Sequence, residues 1–164
     1  MDEASTQHYL IALGSNRRHH RLGAPHQILD AALIQLAGEG LDVLAVAPVI
    51  ETLPIGPSLR RYANGAAIIA TPLMPDALLT LLKKTEARFG KRRGQRWSAR
   101  TLDLDIILWS GGCWYSPSPR LIVPHPSYRS RNFVLRPAAA IAPDWRDPLT
   151  GLSIAQLRHR AARG

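Results

Sequence analysis

Arg96-Trp97-Ser98-Ala99-Arg100-Thr101-Leu102-Asp103-Leu104-Asp105-Ile106-Ile107-Leu108 joins a basic loop to an apolar run. From Leu104 to Trp109 the residues are β-formers, bounded by Ser110-Gly111-Gly112, and the run reads as a strand. Side chains alternate along a strand, so Asp103 and Asp105 share one face while Leu102, Leu104 and Ile106 face a core. Two residues of rise separate the carboxylates by roughly 6–7 Å. That span suits hard cations, which prefer oxygen ligands. A solvated acidic face on an edge strand is the plainer alternative. The residues just upstream weigh against it: Lys91, Arg92, Arg93, Arg96 and Arg100 form a cationic stretch. Two acids beside such a stretch suit a metal-bound polyphosphate, with the acids on the metal and the bases on the phosphates.

Working outward, the apolar periodicity gives an alternating order of elements. His8 to Leu13 reads as a strand closed by Gly14-Ser15-Asn16. A helix is expected from Pro25, with Ile28, Leu29, Ala32, Leu33 and Leu36 at helical spacing and Gly38 and Gly40 as its stop. Leu41 to Glu51 reads as a strand made irregular by Pro48, and Asn64 to Ala70 as a short central strand. A second helix is expected over about Asp76 to Phe89, with Leu78, Leu81, Leu82 and Phe89 as its core stripe. After the aspartate strand, Gly111-Gly112 reads as a hairpin turn into Cys113-Trp114-Tyr115, and Ser116 to Pro126, with its four prolines, as irregular. A short helix is expected over Phe133 to Ile141. A last one, Ile154 to Ala162, follows a capping box of Ser153 and Gln156. The order β-α-β-β-α-β followed by helices predicts an α+β fold: a ferredoxin-like split βαβ core, mainly antiparallel, with helices packed on both sides. The whole chain, residues 1–164, is expected to be a single domain, with 1–7 frayed.

Composition narrows the class. A chain of 164 residues with 46% hydrophobic content is long and apolar enough for a real core. No apolar run reaches the roughly 18 residues of a membrane span. No signal peptide is visible, and one cysteine, Cys113, excludes an internal disulfide and a cysteine-cluster zinc site. The expectation is a cytoplasmic monomer. The formal charge of +9 favours anionic partners, nucleotides and nucleic acids alike. Walker A, G-x-G-x-x-G, H-E-x-x-H and G-x-S-x-G patterns are all missing from the sequence.

The segment Arg96-x-x-Ala99-Arg100-x-x-Asp103-Leu104-Asp105-Ile106-Ile107 resembles the signature of the 6-hydroxymethyl-7,8-dihydropterin pyrophosphokinase family (HPPK). Other pieces fall in that family's order: Ala12-Leu13-Gly14-Ser15-Asn16, Glu51-Thr52-x-Pro54-Ile55-Gly56-Pro57, Tyr62-x-Asn64-Gly65-Ala66, Val123-Pro124-His125-Pro126, and Arg131-x-Phe133-Val134-Leu135-x-Pro137. The resemblance covers about Tyr9 to Leu157. It implies transfer of pyrophosphate from ATP to a reduced pterin in folate biosynthesis, with release of AMP. It also implies two Mg²⁺ ions held by Asp103 and Asp105, ATP as co-substrate, and no nucleic-acid or membrane partner. Catalysis would rest on Arg100, Asp103, Asp105 and Arg92. The pterin would meet Thr52, Pro54, Ile55, Gly56, Tyr62, Asn64, Trp97 and Phe133. ATP would meet Glu86, Arg93, Arg100, Ile106, Arg120, His125 and Arg131. The sequence departs from the family pattern at Ser98-Ala99, at Ser58 to Arg61, at Lys83 and at Ile122. The basic loop is also one residue short, which leaves open which of Lys91, Arg92 and Arg93 meets the triphosphate. The competing expectations are a family relative that binds pterin or nucleotide without turnover, and a basic nucleic-acid-binding domain.

Overall fold

The computed structural model describes residues 4–16, 23–52, 62–90 and 101–163. The strands are β1 (Gln7–Ser15), β2 (Asp42–Val46), β3 (Ile50–Thr52), β4 (Tyr62–Thr71), β5 (Asp103–Trp109), β6 (Trp114–Pro117) and β7 (Arg120–Val123). The helices are α1 (Pro25–Gly38), α2 (Pro75–Gly90), α3 (Asn132–Ile141) and α4 (Ile154–Arg163). The main sheet runs β2-β4-β1-β5, with β3 also on β4, and its pairings are antiparallel. Strand β4 lies between β1 and β2, which α1 connects, and β1 lies between β4 and β5, which α2 connects. These are the two interlocked split βαβ units that the sequence predicts.

Helices cover both faces. Alternation along β1 sends Tyr9, Ile11 and Leu13 to a core shared with Ile28, Leu29, Leu33 and Leu36 of α1 and Leu78, Leu82 and Phe89 of α2. The opposite parity, Leu10 and Ala12, meets Val134, Leu135 and Ala138 of α3 and Ile154 and Leu157 of α4. The capping box forms as expected: Gln156 N donates to Ser153 Oγ at 3.1 Å, and Ser153 N donates to Gln156 Oε1 at 2.9 Å. Gly40, at φ +94°, turns the chain after α1 in a conformation that favours glycine.

Four local expectations change. Leu41 to Glu51 is two strands, because the chain leaves the edge after Val46 and re-pairs with β4 at Ile50. On α2, Leu79 is buried in place of Leu81, which is half-buried. The Gly111-Gly112 turn forms, with Gly112 at φ +96° donating to Trp109 O at 3.0 Å. Strand β6 nevertheless pairs with β7 and not with β5. The Ser116 to Pro126 segment is thus half strand. Pro117 ends the ladder opposite Arg120, the other three prolines lie outside it, and Leu121 and Val123 are drawn in by burial in the first core.

Strand β5 carries one irregularity against β1. Leu10 pairs with Leu108 and Ile11 with Ile106, so Ile107 is an extra residue, a β-bulge. Before the bulge, Leu104 and Ile106 face α1 and α2; after it, Leu108 faces α3 and α4.

Gly90 and Thr101, both described, approach each other closely. A Cβ on Gly90 would lie 2.3 Å from Thr101 Oγ1 and 2.8 Å from Thr101 Cβ, and Thr101 is 8% exposed. Gly90→Ala is therefore expected to cost about 1–3 kcal/mol of stability through overpacking. A thermal melt checks this, and an unchanged midpoint would mean that Thr101 gives way freely.

Candidate active site

Three strands and one helix start build the site. Gly14 of β1 pairs with Asn64 of β4 on one side and with Asp103 of β5 on the other. Two residues earlier, Ala12 pairs with Ala66 and Asp105. Directly opposed residues share a sheet face. Asn64, Gly14 and Asp103 thus form one row, and Ala66, Ala12 and Asp105 the next. Between this face and Arg131, Phe133 and Val134 lies a cavity of about 650 Å³, with Tyr62 on its wall. That volume is within the range of small-molecule sites.

The two carboxylates differ in setting: Asp103 is exposed and Asp105 half-buried. Both line the cavity, so the expectation that they share a face holds. Among the described residues no group of three or more His, Cys, Asp or Glu side chains could hold a metal. The donor set here is two carboxylates, all oxygen. It fits magnesium, which usually takes one or two protein carboxylates and fills the rest of its octahedron with water and phosphate oxygens.

Phe133 and Tyr62 are aromatic and remain 44% and 40% exposed while lining the cavity. An aromatic face left open beside polar donors suits a flat heterocycle better than a core role. The Arg131 guanidinium sits 5.9 Å from the centre of the Phe133 ring. Arg131 is also the N-cap of α3, so its charge and the helix start both favour an anion there.

His125 is half-buried beside this group. Burial lowers its pKa; Asp105 opposes that and Arg131 reinforces it. The net shift favours the neutral imidazole. Its Nδ1 accepts a hydrogen bond from Ser127 N at 3.1 Å, so the ring proton is on Nε2, which is left as a donor. The backbone N of His125 donates to Ile107 O at 3.0 Å, which ties this loop to β5.

Other expected ATP residues, Glu86 on α2, Ile106 on β5 and Arg120 on β7, stand outside the cavity lining. Glu86 accepts from Leu104 N at 2.8 Å through Oε2 and from Lys83 Nζ at 3.0 Å through Oε1. Its carboxylate grips the backbone between the two aspartates. The Ile106 side chain is in the core, which leaves its backbone for any ligand, and Arg120 begins β7 and is exposed. Thr52 ends β3, paired with Tyr62. Pro54, Ile55, Gly56, Arg92, Arg93, Trp97 and Arg100 lie outside the described residues.

The sequence alone assigns no role to Gly14 or Asn16, which also line the cavity. The Asn16 amide oxygen is buried and has no hydrogen-bond partner among the described residues. The Gly14-Ser15-Asn16 turn was the available signal, but a turn motif does not say which neighbours it faces.

Residues 10–143 match the family model of 7,8-dihydro-6-hydroxymethylpterin-pyrophosphokinase. The chain belongs to that family. A pyrophosphokinase of this family from Pseudomonas aeruginosa, named for 2-amino-4-hydroxy-6-hydroxymethyldihydropteridine, is 42% identical over 87% of this chain and 85% of its own length. A Synechocystis protein of the same name is 37% identical over 90% of this chain and 73% of its own. The crystal structure of Plasmodium falciparum HPPK-DHPS superposes at a TM-score of 0.74 with 13% identity. It covers 95% of this chain and 41% of that one, and this likeness carries the fold. As a family member the chain is a pyrophosphokinase, and the cavity between β1, β4, β5 and α3 is its candidate active site. Among the described residues no helix is long and apolar enough to cross a membrane.

Proposed function

We propose that the chain transfers a pyrophosphoryl group from ATP to the hydroxymethyl oxygen of 6-hydroxymethyl-7,8-dihydropterin in folate biosynthesis. The hydroxyl oxygen bonds to the β-phosphorus, the bond from that phosphorus to the oxygen bridging it to the α-phosphorus breaks, AMP leaves, and the hydroxyl proton is released. One observation carries this reading: a paired-carboxylate row and an aromatic, amide-bearing wall open into a single cavity.

The site residues divide the work. Asn64 offers the pterin edge both a donor and an acceptor. Tyr62 and Phe133 supply ring faces. Asp103 and Asp105 would hold two magnesium ions, which when bound neutralise the triphosphate and ease loss of the hydroxyl proton. Arg131 places a cation beside that row, and neutral His125 offers a proton-bearing nitrogen to a phosphate oxygen. Glu86 fixes the β5 backbone between the two acids. ATP is expected along the outer side of β5, with Ile106 backbone at the adenine and Arg120 near the phosphates. Arg92, Arg93 and Arg100 are expected to complete the phosphate contacts, and Pro54, Ile55, Gly56 and Trp97 the pterin pocket. Transfer of this kind needs positioning and charge more than covalent chemistry from the protein. The protein is expected to act as a single-domain, cytoplasmic monomer.

The test is an incubation with ATP, Mg²⁺ and the pterin, with nucleotides separated by chromatography. Pterin-dependent AMP is the expected product. ADP, or no pterin-dependent turnover, overturns the reading.

A further inference from the structure

Glycines in strands usually answer to one of three needs: a positive φ, a close neighbour, or a ligand. Gly14 is in the body of β1, paired on both sides, and its φ is not positive. Nor does the protein crowd it. A Cβ there would meet Asn64 Oδ1 at 3.6 Å and Asp103 Cβ at 4.0 Å, both ordinary contacts. The first two needs are therefore absent. What remains is the cavity, which Gly14 lines.

Its place in the row says what would lie over it. Asn64 and Asp103 flank Gly14 on neighbouring strands, so their Cα atoms are about 9–10 Å apart at the usual strand spacing. On the reading above, Asn64 meets the edge of the pterin ring and Asp103 holds metal beside the reacting oxygen. A substrate touching both must cross the middle strand at Gly14. The atom nearest the metal end is the carbon that carries the hydroxyl.

We propose that Gly14 is a substrate-binding residue for the hydroxymethyl arm: its bare Cα is the floor on which that carbon rests beside Asp103. A methyl group at position 14 stands up from the sheet into this space, lifting the arm away from the carboxylate row while leaving the ring edge and the ATP side alone. This inference rests on the pyrophosphokinase reading and sharpens it from a cavity to a contact.

The test compares Gly14→Ala with the wild-type chain, using two ligands in the presence of Mg²⁺ and a non-hydrolysable ATP analogue. One ligand is 6-hydroxymethyl-7,8-dihydropterin; the other is 7,8-dihydropterin, which lacks the arm. The expected result is an unchanged melting temperature, unchanged affinity for the ATP analogue and for 7,8-dihydropterin, and about 10–100-fold weaker binding of the hydroxymethyl compound. Unaltered binding of both pterins overturns the proposal, because the floor would then be elsewhere. Equal weakening of both overturns it too, because the ring and not the arm would lie there. Loss of the fold shows that the glycine serves the protein and not the ligand. A wild-type chain that makes no pterin-dependent AMP is a separate failure, that of the pyrophosphokinase reading itself.

Discussion

Asp105→Asn should lower pterin-dependent AMP formation by on the order of a thousandfold or more while leaving the melting temperature unchanged. The side chain keeps its shape and loses its charge. Asp105 stands in a row with Ala12 and Ala66, so no larger side chain leans on it across the sheet. On the proposed reading its role is electrostatic, and the loss falls on the chemistry. A carboxylate that holds a metal against a triphosphate acts most strongly as charge redistributes between phosphorus atoms, so kcat should fall more than KM rises. Raising the Mg²⁺ concentration should recover part of the activity, since Asn keeps one oxygen ligand. Steady-state kinetics over a Mg²⁺ series measures both effects. Turnover close to wild type would place the metal site elsewhere.

Asp147→Ala should be the most damaging change to stability away from the site. Asp147 is 0% exposed, in the loop between α3 and α4. Its carboxylate accepts from Tyr128 Oη at 2.6 Å, from Leu149 N at 2.8 Å, from Thr150 N at 3.2 Å, and from Arg129 Nε. Removing it leaves a guanidinium, a buried hydroxyl and two amides without their acceptor. Breaking such a pair on one side costs about 3–5 kcal/mol. At about 2–4 °C per kcal/mol for a chain of this size, the melting temperature should drop by roughly 10 °C.

The same carboxylate gives acid sensitivity with a definite sign. Burial on its own would raise the Asp147 pKa, but the hydrogen bonds from Arg129, Tyr128 and the two amides overcome it and hold the group at about 2, below the ordinary 3.8. The folded state therefore binds this proton less readily than the unfolded chain does. The stabilisation is complete above about pH 4 and disappears as pH falls from there through about 2, a loss of about 2 kcal/mol. Melts at descending pH should show this step in the wild-type protein. In Asp147→Asn, which starts less stable, the step should be missing. A step of equal size in both would assign it to other carboxylates.

The particular residues show what was legible in the sequence. The α1 stripe and the Ser153–Gln156 box depend on neighbours three or four residues apart, and both formed as read. The shared face of Asp103 and Asp105 needs only alternation along one strand. Pairing partners are another matter. That β6 joins β7, and that Gly14 stands between Asn64 and Asp103, follow from contacts between residues far apart in the chain. Local pattern says nothing of such contacts. Nothing local in the sequence marks Asp147, because its partner Tyr128 is 19 residues away in the chain.

The extra residue at Ile107 has a bearing on how the site tolerates change. A strand shifted by one residue turns every side chain to the other face. Such a shift through Asp103 and Asp105 would drive both acids beneath α1 and α2, where an unpaired charge is very costly. Because the ladder already steps at Ile107, a length change nearer Trp109 can be taken up at that step before it reaches the acids. Over evolutionary time, insertions and deletions should therefore accumulate on the Trp109 side of the bulge, leaving the stretch from Asp103 to Ile106 at fixed length. The bulge is a mechanical fuse for the register of the two acids.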